Sequence, residues 1–207
     1  MRCLVPVAVD SPKSRLASVL SASERWTFAR AMCVDVLSTL TAAGCQPTVL
    51  ATRPINDDRI ITRATVTVDD RPLTAAINAQ LADGKPTLIV MADLPLIEPS
   101  DIRRLCENSA DITIAPGVGG GTNGLAVRES KFRVDYHGAS YLDHCRTADA
   151  LGATVETIDS RRFATDVDEP ADLAEVLIHG EGAAASWLTA AGFELKTTDG
   201  RVGVTRQ

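Results

Sequence analysis

An aspartate stands just past the end of a fully apolar stretch. Thr87–Met91 reads as a buried strand, and Asp93 follows it in Val90-Met91-Ala92-Asp93-Leu94-Pro95-Leu96. A carboxylate there suits Mg²⁺, which takes oxygen ligands and bridges substrate phosphates. Asp also forms turns and caps, so a structural role stands beside that one. Late in the chain, Thr165-Asp166-Val167-Asp168-Glu169-Pro170 offers two more acids. If this stretch is extended, alternation puts Asp166 and Asp168 on one side, and either could complete a metal site with Asp93. Asp168 equally suits capping the helix that Pro170 would open.

Other residue groups could hold anions. The strand ending at Val7 leads into a loop with Asp10, Ser11, Pro12, Lys13, Ser14 and Arg15. Ligands of open α/β sheets sit beyond such strand ends. Lys13 and Arg15 can neutralise a triphosphate, and loop amides add donors. The loop is neither a P-loop nor a dinucleotide fingerprint, since both glycine patterns are absent. A solvated basic loop is the alternative. In Gly117-Val118-Gly119-Gly120-Gly121-Thr122-Asn123 the glycines allow close backbone approach, and Thr122 and Asn123 offer donors. Its alternative is a flexible hairpin loop. Tyr136-His137-Gly138-Ala139-Ser140-Tyr141 precedes a helix whose N-terminus, with Ser140, suits an anion. A lone loop histidine is more often a surface residue, so proton transfer is not assigned to His137. His144 and His179 fall in helical stretches and read as structural.

The elements that must position these groups follow from periodicity. Residues 2–7, 47–51, 64–68, 86–91, 111–115, 125–127 and 153–158 read as strands, several of them short continuous apolar runs. Residues 22–43 read as a long helix, with Trp26, Ala29, Met32, Cys33, Val36, Leu37 and Leu40 at helical spacing. Ser21 and Glu24 form a capping box at its start, and Gly44 ends it. Further helices are expected over 72–81, 99–107, 138–150 and 170–178, with 8–20 as a loop. Strands alternating with helices imply α/β, a three-layer, mainly parallel Rossmann-like sheet flanked by helices. From Gly180 the pattern changes to a short helix, 183–191, and two strands flanking Asp199-Gly200, a hairpin turn signal. We expect one domain, 1–207, with 180–207 as a helix-hairpin appendage packed on it or on a partner subunit.

Composition narrows the function classes. A net charge of −6 argues against a nucleic-acid partner, which needs a basic stripe. No apolar run reaches 18 residues, so no membrane span is expected. Five cysteines without a C-x-x-C pair point to reduced, mostly buried thiols in a cytoplasmic protein.

Taken in order, V-P-V-A-V-D-S-P-K-S-R-L, V-M-A-D-L-P-L-I, G-G-G-T-N, Y-H-G-A-S-Y and T-D-V-D-E-P-A-D-L resemble the 2-phospho-L-lactate guanylyltransferase family of coenzyme F-420 biosynthesis. The resemblance spans nearly the whole chain, and the tail I-H-G-E-G-A-A is similar to archaeal members. It implies a nucleotide-diphospho-sugar transferase type of fold, Mg²⁺ as cofactor, and GTP and a phosphorylated three-carbon acid as substrates. The family suggests a homodimer. It implies that Lys13, Arg15 and Asp93 are catalytic, and that Val7, Lys13, Ser14, Arg15 and Asn78 contact the nucleotide. Thr122, Asn123, His137 and Ser140 would hold the acid, and Asp93, Asp166 and Asp168 the metal. Many members carry Lys where this chain has Ala8, which leaves Lys13 and Arg15 as the loop's cations. Phosphoenolpyruvate or 3-phosphoglycerate as acceptor, or a non-catalytic nucleotide-binding regulator, are the alternatives.

Overall fold

The computed structural model describes residues 1–10, 12–198 and 200–207. Ser11 of the basic loop and Asp199 of the expected hairpin turn lie outside the described residues. The first half comprises β1 (Arg2–Val7), α1 (Ala22–Ala42), β2 (Pro47–Ala51), α2 (Asp58–Ile61), β3 (Thr65–Val68), α3 (Leu73–Leu81), β4 (Thr87–Val90) and α4 (Pro99–Glu107). Then come β5 (Ile112–Pro116), β6 (Thr122–Val127), α5 (Ser140–Leu151), β7 (Val155–Thr157), α6 (Arg161–Ala164), α7 (Asp172–His179), α8 (Ala183–Ala190), β8 (Phe193–Thr198) and β9 (Arg201–Arg206).

Seven strands form one sheet in the order β3-β2-β1-β4-β6-β5-β7. All pairings are parallel except those of β6, which runs antiparallel to both β4 and β5. The central strands are apolar because both of their faces are covered. Along β1, Cys3 and Val5 join the core beneath α1 and α4, whereas Leu4 joins the opposite core with Ile77 of α3 and Ala148 of α5. Along β4 the same alternation sends Leu88 and Val90 one way and Ile89 the other. This period of two turns a continuous apolar run into two cores and gives the expected three-layer α/β architecture.

The long helix starts as expected. Ser21 accepts from the Glu24 amide while the Glu24 carboxylate accepts from the Ser21 amide. Several details differ from the sequence reading. A 3-10 helix, Ser14–Ser18, interrupts the supposed loop 8–20, and α2 and α6, four residues each, were not foreseen. Thr122 and Asn123 open β6 rather than sitting in the loop before it. Asp168 does not cap α7. Asp172 accepts from the amides of Asp168 and Glu169 at 2.9 and 2.7 Å, and α7 begins two residues after Pro170. All five cysteines are free thiols, but only Cys3 and Cys33 are buried, so most are less buried than expected. Among the described residues no helix is long and apolar enough to cross a membrane.

The C-terminal appendage packs on the main layers. Leu173 and Val176 of α7, Leu188 of α8 and Phe193 of β8 share a core with Leu16 of the 3-10 helix and Phe28 and Met32 of α1. A carboxylate fixes the joint: Asp35 of α1 accepts from the amides of Ala183 and Ala184, at 2.6 and 2.8 Å. It thereby satisfies the free N–H groups at the start of α8. Gly182 makes this approach possible, because a Cβ there would lie 2.3 Å from Asp35 Oδ1. Gly182→Ala should therefore lower stability by about 1–3 kcal/mol, the usual range for overpacking. Urea unfolding checks this, and an unchanged midpoint would refute the tight joint.

Candidate active site

The parallel strands β1, β2, β3 and β4 all end on one side of the sheet. The strand order turns at β1 and β4, where open α/β sheets place ligands. A cavity of about 540 Å³ opens there, with Val7, Ala8, Lys13, Asp93 and Asp168 in its wall. Met32, Leu50 and Ala76 add apolar surface, and Asp69, Asp70 and Arg71 also line it.

Asp93 follows the end of β4 by three residues and is tied down by its backbone. The Met91 amide donates to Asn123 O, and the Val167 amide donates to Asp93 O at 3.1 Å. The second bond brings the late acidic segment against the first. Val167 is fully buried, so Asp166 and Asp168 on either side of it are directed to the opposite face. Carboxylate oxygens of Asp93, Asp166 and Asp168 lie within 4.8 Å of one another. This is the one such cluster of three potential metal ligands among the described residues.

Lys13 reaches into the cluster. Its Nζ lies 2.5 Å from Asp93 Oδ2 and 2.6 Å from Asp168 Oδ1. Arg15, two-thirds exposed, reaches Asp168 Oδ2 at 3.3 Å. Lys13 adopts φ 54°, ψ 46°, and is the one described non-glycine residue with positive φ. Such backbone costs energy and persists where surrounding contacts enforce it, often at functional sites. Burial alone would lower the Lys13 ammonium, but the charges of Asp93 and Asp168 outweigh it and raise it. Burial raises the Asp166 carboxyl, a bond from Asn123 opposes this, and the charges of Asp93 and Asp168 push it further up. Asn123 Nδ2 donates to Asp166 Oδ1 at 3.0 Å and to Phe163 O at 2.8 Å.

Three carboxylates thus face two cations, an excess of one negative charge. Oδ1 of Asp93 is buried without a hydrogen-bond partner. Buried polar atoms are almost always paired, so this orphan oxygen marks a place for a donor or a cation.

A second group of side chains lies across β6. Thr122 Oγ1 is 3.3 Å from Ser140 Oγ and 2.9 Å from His144 Nδ1, and all three residues are buried. The preceding loop is docked rather than free, because Tyr141 donates to Gly120 O and Val118 to Ala164 O. The structure therefore brings Thr122 and Ser140 together. It does not bring His137 to them: that ring is exposed and bonded to Asp135. Asn78 is also not in the cavity wall. Its side chain bonds both the amide and the carbonyl of Val134, at 2.8 and 2.9 Å, and so ties α3 to the segment before α5. Ser14 is exposed at the start of the 3-10 helix.

A family model described as guanylyl transferase, CofC-like, matches residues 1–207. The chain belongs to this family. It is 55% identical to the 2-phospho-L-lactate guanylyltransferase of Halomicrobium mukohataei over 207 residues, covering all of both chains. It is 52% identical to that of Natronomonas pharaonis, again over all of both chains. With the Haloferax volcanii enzyme of the same name it shares 49% over all of this chain and 99% of the other. Solved structures agree on the fold. A nucleotidyl transferase from Methanothermobacter matches 91% of this chain and 98% of its own, with TM-score 0.58 and 14% identity. A candidate nucleotide-diphospho-sugar transferase from Desulfovibrio desulfuricans G20 matches with TM-score 0.71 and 13% identity, over 92% and 95%.

In this CofC-like chain, sequence reasoning missed one residue of the buried group. His144 sits on a helix among apolar neighbours, the usual pattern of a core residue. A histidine inside a helix facing the Thr122 strand was the available signal, but it needed the register of α5 against β6.

Proposed function

We propose that the chain transfers the guanylyl group of GTP to 2-phospho-L-lactate, giving lactyl-2-diphospho-5′-guanosine and pyrophosphate in coenzyme F-420 biosynthesis. Family membership and the names of relatives 49–55% identical support the reaction. One observation carries the reading: Asp93, whose buried Oδ1 has no partner, clusters with the carboxylates of Asp166 and Asp168 at a cavity of nucleotide size. Uncompensated acids in a half-buried cluster are costly unless a cation joins them. The donor set is all oxygen and fits Mg²⁺. Bound by these three acids, Mg²⁺ would neutralise the two anionic substrates and polarise the phosphoryl oxygens.

The other parts supply position and charge. Apolar cavity residues suit a purine face, and the Asp70 carboxylate suits the N–H edge of guanine, its neighbour Asp69 being held by Arg71. Thr122 and Ser140 hold the acid, whereas Asn123, expected beside them, spends both amide hydrogens on Asp166 and Phe163 O and so steadies the acidic cluster instead. Its phosphate oxygen, already anionic at neutral pH, forms a bond to the α-phosphorus as the bond to pyrophosphate breaks. No side chain needs to remove a proton. Lys13 and Arg15 stabilise the charge growing on pyrophosphate, and the remaining work is alignment.

An acceptor panel tests this. 2-Phospho-L-lactate, phosphoenolpyruvate and 3-phosphoglycerate are each paired with GTP, ATP and CTP, and scored by pyrophosphate release and product mass. GTP with 2-phospho-L-lactate should be fastest. Preference for another acid would overturn the acceptor assignment, and nucleotide binding without pyrophosphate would favour a regulator. The same preparation should size as a homodimer by light scattering, with exposed Leu195 and Val202 of the hairpin available to an interface. A clean monomer at micromolar concentration refutes that assembly.

A further inference from the structure

The buried group across β6 has a defined order of hydrogen bonds. The Asp135 amide lies 3.1 Å from His144 Nε2. A backbone N–H can only donate, so Nε2 accepts, and a neutral imidazole must then carry its hydrogen on Nδ1. Burial pushes His144 down to about 4, against the opposing charges of Asp143 and Asp135, so the ring is neutral at working pH. Its position is fixed by Tyr136, edge-on with centroids 5.2 Å apart, and by Phe132 at 5.9 Å. Nδ1 therefore donates to Thr122 Oγ1 at 2.9 Å. Ser140 Oγ donates to the same oxygen at 3.3 Å. Both acceptor positions of Thr122 are then filled, and its own hydrogen is left for a further group. Were the Ser140 bond reversed, the spare hydrogen would sit on Ser140. In neither case do these three side chains consume it among themselves.

We propose that His144 is a positioning residue of the acceptor site: by donating to Thr122 it commits the Thr122–Ser140 pair to donating a hydroxyl hydrogen to an anionic oxygen of the phosphorylated acid. The inference rests on the reading above, in which Thr122 and Ser140 hold that acid. His144 itself touches no substrate and moves no proton in the reaction. A hydroxyl locked as a donor favours an anionic oxygen over a donor group, so the arrangement also serves selectivity.

Steady-state kinetics of His144→Gln, His144→Asn and Thr122→Val, with 2-phospho-L-lactate and GTP varied separately, tests the idea. Gln can still accept from the Asp135 amide but has no donor at the Nδ1 position, whereas Asn keeps a donor near it. Losing one oriented donor to an anion should raise the acceptor KM roughly tenfold or more in His144→Gln and Thr122→Val. The GTP KM should stay within about threefold of wild type, and His144→Asn should recover most of the loss. An unchanged acceptor KM in His144→Gln, beside a raised one in Thr122→Val, overturns the role of His144 alone. An unchanged acceptor KM in Thr122→Val overturns the acceptor-site reading itself. Equal damage to both substrates, or no recovery in His144→Asn, assigns His144 to packing and overturns the proposal. If the variants fail to fold, nitrogen-15 NMR of the unmodified protein decides: the expected state carries hydrogen on Nδ1, and hydrogen on Nε2 overturns the order of bonds.

Discussion

Asp93→Asn is expected to lower turnover on the order of 10³-fold while leaving the fold intact, because metal-ion stabilisation of a phosphoryl transition state contributes several kcal/mol. The substitution keeps the shape and the bond to Lys13 Nζ, 2.5 Å away, can be replaced by one to the amide oxygen. It removes the charge on the residue whose Oδ1 has no partner in the protein. Two effects on stability oppose each other. The pair with Lys13 weakens, but Lys13 retains Asp168 at 2.6 Å, and Asp93 no longer repels Asp166 and Asp168. The net change should stay within about 1 kcal/mol, as for partly exposed ion pairs. Pyrophosphate release at saturating Mg²⁺ with urea unfolding alongside provides the measurement. Wild-type rates would remove Asp93 from the metal site, and a collapsed unfolding midpoint would make it structural instead.

Much of this site was legible because its signals are local. Asp93 announces itself by following a run of apolar residues, and Ser21 with Glu24 marks the start of α1 within four residues. Asp166 and Asp168 were legible for a related reason. The alternation argument needs only an extended backbone, and buried Val167 between them supplies its direction. Residues whose roles depend on distant partners were not legible. The family resemblance assigns Asn78 a nucleotide contact, and only the approach of Val134, 56 positions away, shows its amide tied into the fold instead. His144 is similar: its meaning comes from Thr122, on a strand 22 residues earlier. The antiparallel pairing of β6 with β5 agrees with the hairpin alternative for the glycine-rich loop. Its second pairing, with β4 across the intervening α4, is non-local and was hidden. Nor does local pattern reveal the left-handed turn at Lys13, since lysine has no preference for positive φ.

Lys13→Ala is expected to do two things at once: slow pyrophosphate formation on the order of 10²-fold or more, as loss of a single transition-state donor does, and tighten binding of Mg²⁺ or Mn²⁺ to the nucleotide-free protein. The second effect follows from where the ammonium sits. It bridges Asp93 and Asp168, two of the three acids that would hold the metal, so ammonium and metal compete for the same oxygens. Calorimetric titration reads the competition directly. Without metal the variant should be less stable by about 2 kcal/mol, below the range for a fully buried pair, because the Asp93 and Asp168 side chains are 26% and 36% exposed. Adding metal should restore part of that loss, since binding to the folded form alone stabilises it. If metal binds no more tightly and pyrophosphate appears at the wild-type rate, the bridge is incidental and the loop merely solvated. Lys13→Gly separates charge from backbone. It loses the same ammonium but escapes the left-handed penalty of about 1 kcal/mol that alanine still bears. A glycine variant as slow as the alanine variant, yet more stable by that amount, would assign the rate to the ammonium and the strain to the backbone that delivers it.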